Sequence, residues 1–288
     1  MIVRNVRDVR IARVVRVVRI VLLAVGVVTT VSAQGLPNPY RIVDGWAKLP
    51  DGRKMGAVGK VDVAPDGTHI WAVIRCEPLY DQARFGDECR DSKTNSIYLF
   101  DHDGNVVRSF GGGMFIWPHG LDVDTDGNVW VTDAVAANRI PKGDKRGHQV
   151  VKFSPEGKVL MTLGVPGEAG SGAGHFNSPS DIAIAPNGDI FIADGHNDNG
   201  NNRVVKFSKD GKYIKEWGKT GWAPGEFRTL HAIAIDSQGR VFVGDRGNNR
   251  IQIFDQVGKS LAVCPTMCRI QAAGEGAEFV AVDKDGNI

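Results

Sequence analysis

One unit occurs twice between His175 and Asp255, and that recurrence limits the possible folds more than any other feature of the chain. Each copy opens with an apolar segment (DIAIAP, AIAIDS), turns at NGD or QGR, and continues into a second apolar segment (IFIADG, VFVGDRG). A polar NNR step comes next, then a third segment (VVKFSKDG, IQIFDQVG). Short runs with β-branched and aromatic residues at alternate positions, separated by Asn-Gly, Gln-Gly or Asp-Gly, predict strands joined by tight turns. One such meander cannot bury its apolar faces alone. Its repetition predicts an all-β chain built as a β-propeller.

The turn glycines give the register of the remaining units. They are Gly67, Gly127, Gly188, Gly239 and Gly286, spaced by 60, 61, 51 and 47 residues, and they define five units. The fifth holds only its first strand and turn before Ile288, so the sequence predicts a C-terminally truncated propeller with an unpaired sheet edge. Residues 40–288 read as one repeat domain, since no linker-like shift in composition interrupts the register.

Residues 1–33 stand apart from this pattern. Six arginines (Arg4, Arg7, Arg10, Arg13, Arg16, Arg19) precede a twelve-residue uncharged run, Ile20 to Val31, and the small residues Ser32 and Ala33. A basic start, a short apolar run and a small-residue end describe a secretory signal peptide, and the run is short for a membrane span. The expected location is secreted or periplasmic, with membrane attachment only through an uncleaved leader. The leader carries six of the 35 basic residues and one of the 33 acidic ones; residues 34–288 have 29 against 32, a net charge of −3. That balance gives no basis for nucleic-acid binding. In an exported chain Cys76 and Cys89, which flank one charged loop, are expected to form a disulfide. Cys264 and Cys268 are a C-x-x-x-C pair that could bridge or bind metal. Tyr40 to Pro50 reads as a terminal segment that pairs with the last blade, with Ile42 and Trp46 as packing residues.

The first strand of each propeller blade lines the central channel, so equivalent positions form rings. Eight residues before each turn glycine stand Gly59, His119, Ser180, His231 and Glu278. Histidines in alternate units can converge on a transition metal, most often zinc, and Glu278 could add a carboxylate. Two independent structural histidines are the alternative. A second ring, Asp133, Asp194 and Asp245, is expected to cap the turns after it. One position further on, Arg75 and Arg246 could clamp a carboxylate or pair with neighbouring aspartates.

The units resemble NHL repeats. The segments WPHGLDVDTDGNVWVTD, PSDIAIAPNGDIFIADG with NNRVVKFS, and LHAIAIDSQGRVFVGDRGNNRIQIF further resemble the catalytic domain of peptidyl-α-hydroxyglycine α-amidating lyases, over roughly Tyr40 to Asp255. The resemblance implies a six-bladed propeller that holds zinc through three axial histidines in alternate blades. It implies cleavage of a C-terminal α-hydroxyglycine, a carbinolamide, into an amide and glyoxylate. By motif, His119 and His231 match two zinc ligands, and Arg75 and Arg246 match active-site arginines. His196 stands where the family has its catalytic tyrosine, and is expected to act in proton transfer. Beyond His231 the ring offers only Glu278 as a further ligand. A peptide or small-molecule substrate is expected. Two other classes stay open: an NHL propeller that binds a protein partner without chemistry, and a hydrolase propeller that uses calcium, whose axial ligands are acidic.

Overall fold

The computed structural model describes residues 42–78, 86–197 and 199–265. The leader, Cys268, Glu278 and Gly286 lie outside them. The chain divides into the units Met1–Asp44 and Gly45–Ile288, and the second holds every strand.

Among the described residues sixteen strands form four antiparallel sheets, each a meander of four consecutive strands. The first sheet is β1 (Gly56–Val63), β2 (Ile70–Pro78), β3 (Ile97–Phe100) and β4 (Val106–Phe110); the second is β5 (Pro118–Val123), β6 (Val129–Asp133), β7 (Gln149–Phe153) and β8 (Val159–Leu163). The third is β9 (Pro179–Ile184), β10 (Ile190–Asp194), β11 (Arg203–Phe207) and β12 (Tyr213–Trp217); the fourth is β13 (Leu230–Ile235), β14 (Val241–Asp245), β15 (Arg250–Phe254) and β16 (Ser260–Pro265). Each repeat thus adds a fourth, outer strand to the three expected from the doubled unit. These outer strands are less buried than the inner ones; β16 is exposed throughout and β12 at three of its five residues.

The apolar second strands explain how the sheets stack. VWVTD, IFIAD and VFVGD are buried along their whole length, because both faces of the middle of a blade meet neighbours. Trp71, Val73 and Ile97 of the first sheet pack with Phe115, Leu121, Val131 and Phe153 of the second. Trp130 and Val150 pack with Phe176, Ile182 and Ile192, and Phe191 and Val204 pack with Phe227, Leu230 and Val243. The turns that set the register are alike: in each described case the glycine amide donates to the carbonyl three residues back, as in Gly127 to Asp124 (2.8 Å) and Gly188 to Ala185 (2.8 Å). Their φ values of +72°, +81°, +87° and +76° are left-handed, which glycine adopts without steric cost.

Carboxylates on the inner strands tie each sheet to the next. Asp62 on β1 accepts from the Val123 amide (2.9 Å), Asp122 on β5 from Ile184 (2.6 Å), and Asp181 on β9 from Ile233 (2.9 Å). The inner strands approach so closely that a Cβ on Gly59 would lie 2.5 Å from the His119 carbonyl oxygen.

The segment around Trp46 covers the first sheet; the last blade, with which it was expected to pair, lies outside the described residues. The Trp46 indole donates to the His102 carbonyl (2.9 Å), its ring lies 5.7 Å from that of Phe100, and Lys48 bridges Asn105. Ile42 is 90% exposed and belongs to none of the core clusters among the described residues. The second-ring aspartates hold the turns after them, as expected, and in addition the chain entering the inner strand of their own sheet. Asp133 accepts from Ile116 and Trp117 (2.9 and 2.8 Å), Asp194 from Asn177 (2.7 Å), and Asp245 from Arg228 (2.8 Å). All three are fully buried. They also accept from the chain that follows: Asn201 donates to Asp194 (2.7 Å) and Asn248 to Asp245 (2.8 Å).

Candidate active site

His119 on β5 and His231 on β13 face one another from alternate sheets, as their shared register predicts. The loop after β10 brings a third imidazole, His196, to the same place. Ring centroids are 4.6 Å apart for His119–His196, 4.8 Å for His119–His231 and 4.9 Å for His196–His231. One nitrogen from each lies within 4.8 Å of the others, and all three residues are buried.

The surroundings fix the tautomer of His119. Its Nδ1 is 2.9 Å from the carbonyl oxygen of Ser180, which can only accept, so Nδ1 carries the proton and Nε2 keeps its lone pair. The same carbonyl accepts from Thr132 Oγ1 (3.1 Å), whose oxygen in turn accepts from the Gly120 amide (2.8 Å). Ser180, the ring residue between the two histidines, therefore acts through its backbone. The His196 loop hangs on Ser178: the Gly195 and His196 amides donate to the Ser178 carbonyl (3.2 and 2.9 Å), and Asn197 donates to its hydroxyl (2.7 Å). His196 Nε2 is buried and has no hydrogen-bond partner among the described residues.

Burial, then repulsion from His196, His231 and Arg75, holds the His119 pKa well below the usual imidazole value. Burial, then His231, Arg246 and Arg75, does the same to His196. Both rings are neutral at neutral pH, the form that binds metal. Buried neutral imidazoles with converging nitrogens, one oriented by a carbonyl and one without a partner, fit a nitrogen-preferring divalent ion such as zinc. They do not fit calcium, which takes oxygen ligands. The sequence placed His119 and His231 in one ring and His196 beside them; the structure brings all three together. Glu278, the other ligand read from the ring, lies outside the described residues.

Arg75 near the end of β2 borders the cluster through Trp117. Its guanidinium lies 4.4 Å from the Trp117 ring centroid, and that ring meets His119 at 5.0 Å and His196 at 4.7 Å. Glu88 Oε1 is 3.7 Å from Arg75 Nη1. Arg246 comes after β14 in a short 3-10 turn, half-buried, and its charge acts on His196. Trp117 and Glu88 were not singled out from the sequence. Trp117 stands in the WPHG segment two residues before His119, and Glu88 precedes a bridged cysteine; both adjacencies were visible. The Cys76–Cys89 disulfide is present. Cys264 on β16 is exposed and unbridged.

A ring of antiparallel four-stranded sheets with inner strands at the axis is a β-propeller. The NHL repeat family matches residues 115–140, and a 6-bladed β-propeller family (DUF5128) matches residues 175–262. The chain has the β-propeller fold, matches the NHL repeat over one segment, and resembles the α-hydroxyglycine amidating lyases. It is 32% identical over 265 residues to the peptidyl-alpha-hydroxyglycine alpha-amidating lyase 2 of Drosophila melanogaster, covering 88% of this chain and 57% of the fly protein. It is 35% identical over 199 residues to the mouse peptidyl-glycine alpha-amidating monooxygenase (65% of this chain, 18% of that protein). The human NHL repeat-containing protein 3 is also similar, 35% identical over 173 residues (58% of this chain, 47% of that protein). The chain thus spans little more than half the length of the fly lyase and under a fifth of the mouse enzyme.

Proposed function

We propose that the chain is an exported, zinc-dependent lyase that cleaves an α-hydroxyglycine-type carbinolamide to an amide and glyoxylate. The observation that carries this reading is the buried cluster of His119, His196 and His231 with Arg75 beside it. The three imidazoles would hold zinc, and we read His196 as a nitrogen ligand here in place of the proton-transfer role expected from its position. Bound zinc supplies Lewis acidity, which lowers the pKa of a coordinated hydroxyl.

In the reaction the N–Cα bond breaks, the Cα hydroxyl loses its proton as the aldehyde forms, and the released amide nitrogen gains one. No net proton is exchanged. Arg75, buried against Trp117, would pair with the glycine-derived carboxylate and fix its direction. Arg246 adds a second positive charge near the same end. Trp117 separates the anion-holding and metal-holding sides, and its burial with Ile116, Ala134 and Val135 keeps water from that wall. Export is supported by the arginine-rich start of the chain and by the disulfide, which persists in oxidising compartments.

The test is metal content together with turnover of a peptide ending in α-hydroxyglycine. Stoichiometric zinc and release of glyoxylate support the reading. A chain without zinc that leaves the peptide intact overturns it. The alternative is then a propeller that acts as a binding module without chemistry.

A further inference from the structure

Arg75 is only 7% exposed, and a guanidinium in such a place needs a counter-charge. Glu88 supplies it at 3.7 Å, close enough to neutralise but beyond hydrogen-bond reach. Arg75 Nε, also buried, has no acceptor among the described residues. The group is therefore held on one face by Trp117 and at one end by Glu88, with donor capacity left over.

Glu88 is itself oriented, since its Oε2 accepts from the Gly86 amide (3.0 Å). The residue after Arg75 and the residue after Glu88 are Cys76 and Cys89, joined by the disulfide. The Cys89 amide donates to the carbonyl of Ile116 (3.1 Å), which directly precedes Trp117. The disulfide and this hydrogen bond thus fasten together the three pieces of chain that carry Arg75, Glu88 and Trp117. Arg53 braces the same junction by donating to the carbonyls of Arg75 (2.9 Å) and Cys76 (3.2 Å). On its far side the segment is fixed by Arg90 on Asp87 (2.5 Å) and by Arg146 on the Arg90 carbonyl (2.8 Å).

We propose that Glu88, held by the Cys76–Cys89 disulfide, is the positioning residue for Arg75 and so sets the affinity of the site for a carboxylate. Glu88 compensates the buried charge without using the donors a ligand needs. The disulfide keeps that carboxylate from swinging in to a shorter, competing contact or away into water. The inference rests on the reading of Arg75 as the carboxylate-binding residue.

Calorimetric titration of zinc-loaded protein with glyoxylate tests it, on wild type, Arg75→Ala, Glu88→Ala, Glu88→Gln and the double variant Cys76→Ser/Cys89→Ser. Glu88→Ala and the double variant should each weaken glyoxylate binding by about tenfold or more, the scale of losing a supporting group around a site. Glu88→Gln keeps an oxygen for the Gly86 amide and the same place beside Arg75, and a bound carboxylate itself supplies the counter-charge, so binding should stay within about threefold of wild type, a fraction of the free energy that tenfold represents. Zinc stoichiometry should be unchanged in all of them. Wild-type affinity in both Glu88→Ala and the double variant overturns the proposal. So does a Glu88→Gln loss equal to that of Glu88→Ala, which would mean charge and not placement. Unchanged binding in Arg75→Ala instead removes the carboxylate reading of Arg75, and this proposal with it. If the double variant does not fold, the Glu88 pair decides.

Discussion

Lys60 on β1 and Asp181 on β9 are joined across the channel by an ion pair in which the ammonium nitrogen lies 2.7 Å from both carboxylate oxygens. Asp181 directly follows Ser180, whose carbonyl orients His119, and its carboxylate also receives the Ile233 amide two residues beyond His231. Burial works to lower the Lys60 pKa, but Asp181, Asp122 and Asp62 around it raise it on balance, so the lysine stays charged.

Lys60→Met should therefore cost about 3–5 kcal/mol, because it leaves Asp181 buried without its counter-charge. Urea denaturation of the variant measures this. The double variant Lys60→Met/Asp181→Leu should recover much of the loss. A single variant as stable as wild type would mean that water reaches the pair.

His148 gives a pH dependence whose sign can be worked out. Its Nδ1 accepts the Ser178 amide (3.1 Å) in a buried site, and burial pushes its pKa down to about 4. An unfolded histidine titrates near 6.5. The unfolded state therefore binds more protons between these values, and the stabilisation present above about pH 6.5 is lost as pH falls towards 4, by about 3 kcal/mol. Asn202 serves the same purpose one sheet on, accepting the Thr229 amide (2.8 Å) without titrating. His148→Asn should thus flatten the acid limb, read as the difference in unfolding free energy between about pH 7 and 4.5. Parallel curves for the two proteins would contradict the assignment.

Thr132 braces the carbonyl that orients His119. Thr132→Val should weaken zinc affinity by about 10–100-fold, measured against a competing chelator. It should also cost about 1–3 kcal/mol of stability, because the Gly120 amide loses its acceptor. Unaltered zinc affinity would show that the Ser180 carbonyl suffices alone.

Secreted protein should begin at Gln34, after removal of the arginine-rich leader, as read by N-terminal sequencing. Mature protein retaining Met1 in a membrane fraction would favour the uncleaved anchor.

The parts of this chain that were legible in its sequence are those enforced by local backbone geometry. Gly67, Gly127, Gly188 and Gly239 mark equivalent turns because each needs a positive φ, and counting back from them put His119 and His231 in one ring. His196 was harder to place. It sits on a loop whose path is set by hydrogen bonds to Ser178, which precedes β9, and no periodicity reports such a contact. The local half of the role of Asp133, Asp194 and Asp245, holding the next turn, was legible; their second set of partners, 17 residues back, was not. The contact of the Trp46 segment with the first sheet was illegible for a related reason: an extended strand-like sequence can pair at any free edge, and Asn105 offers one.

The alternation of ring residues has an evolutionary corollary. His119 and His231 are separated by one sheet that contributes Ser180, a carbonyl and no imidazole, to the ring. Duplicating or deleting a single repeat between them would change the parity of that arrangement, bringing the two histidines to adjacent blades or moving them a further blade apart. Repeat number within this span is therefore not a neutral variable, although each repeat folds by the same rules. A lineage that gains or loses blades can do so outside the span from β5 to β13 and keep the histidines facing one another; inside it, one copying event abolishes the cluster while leaving every individual sheet intact.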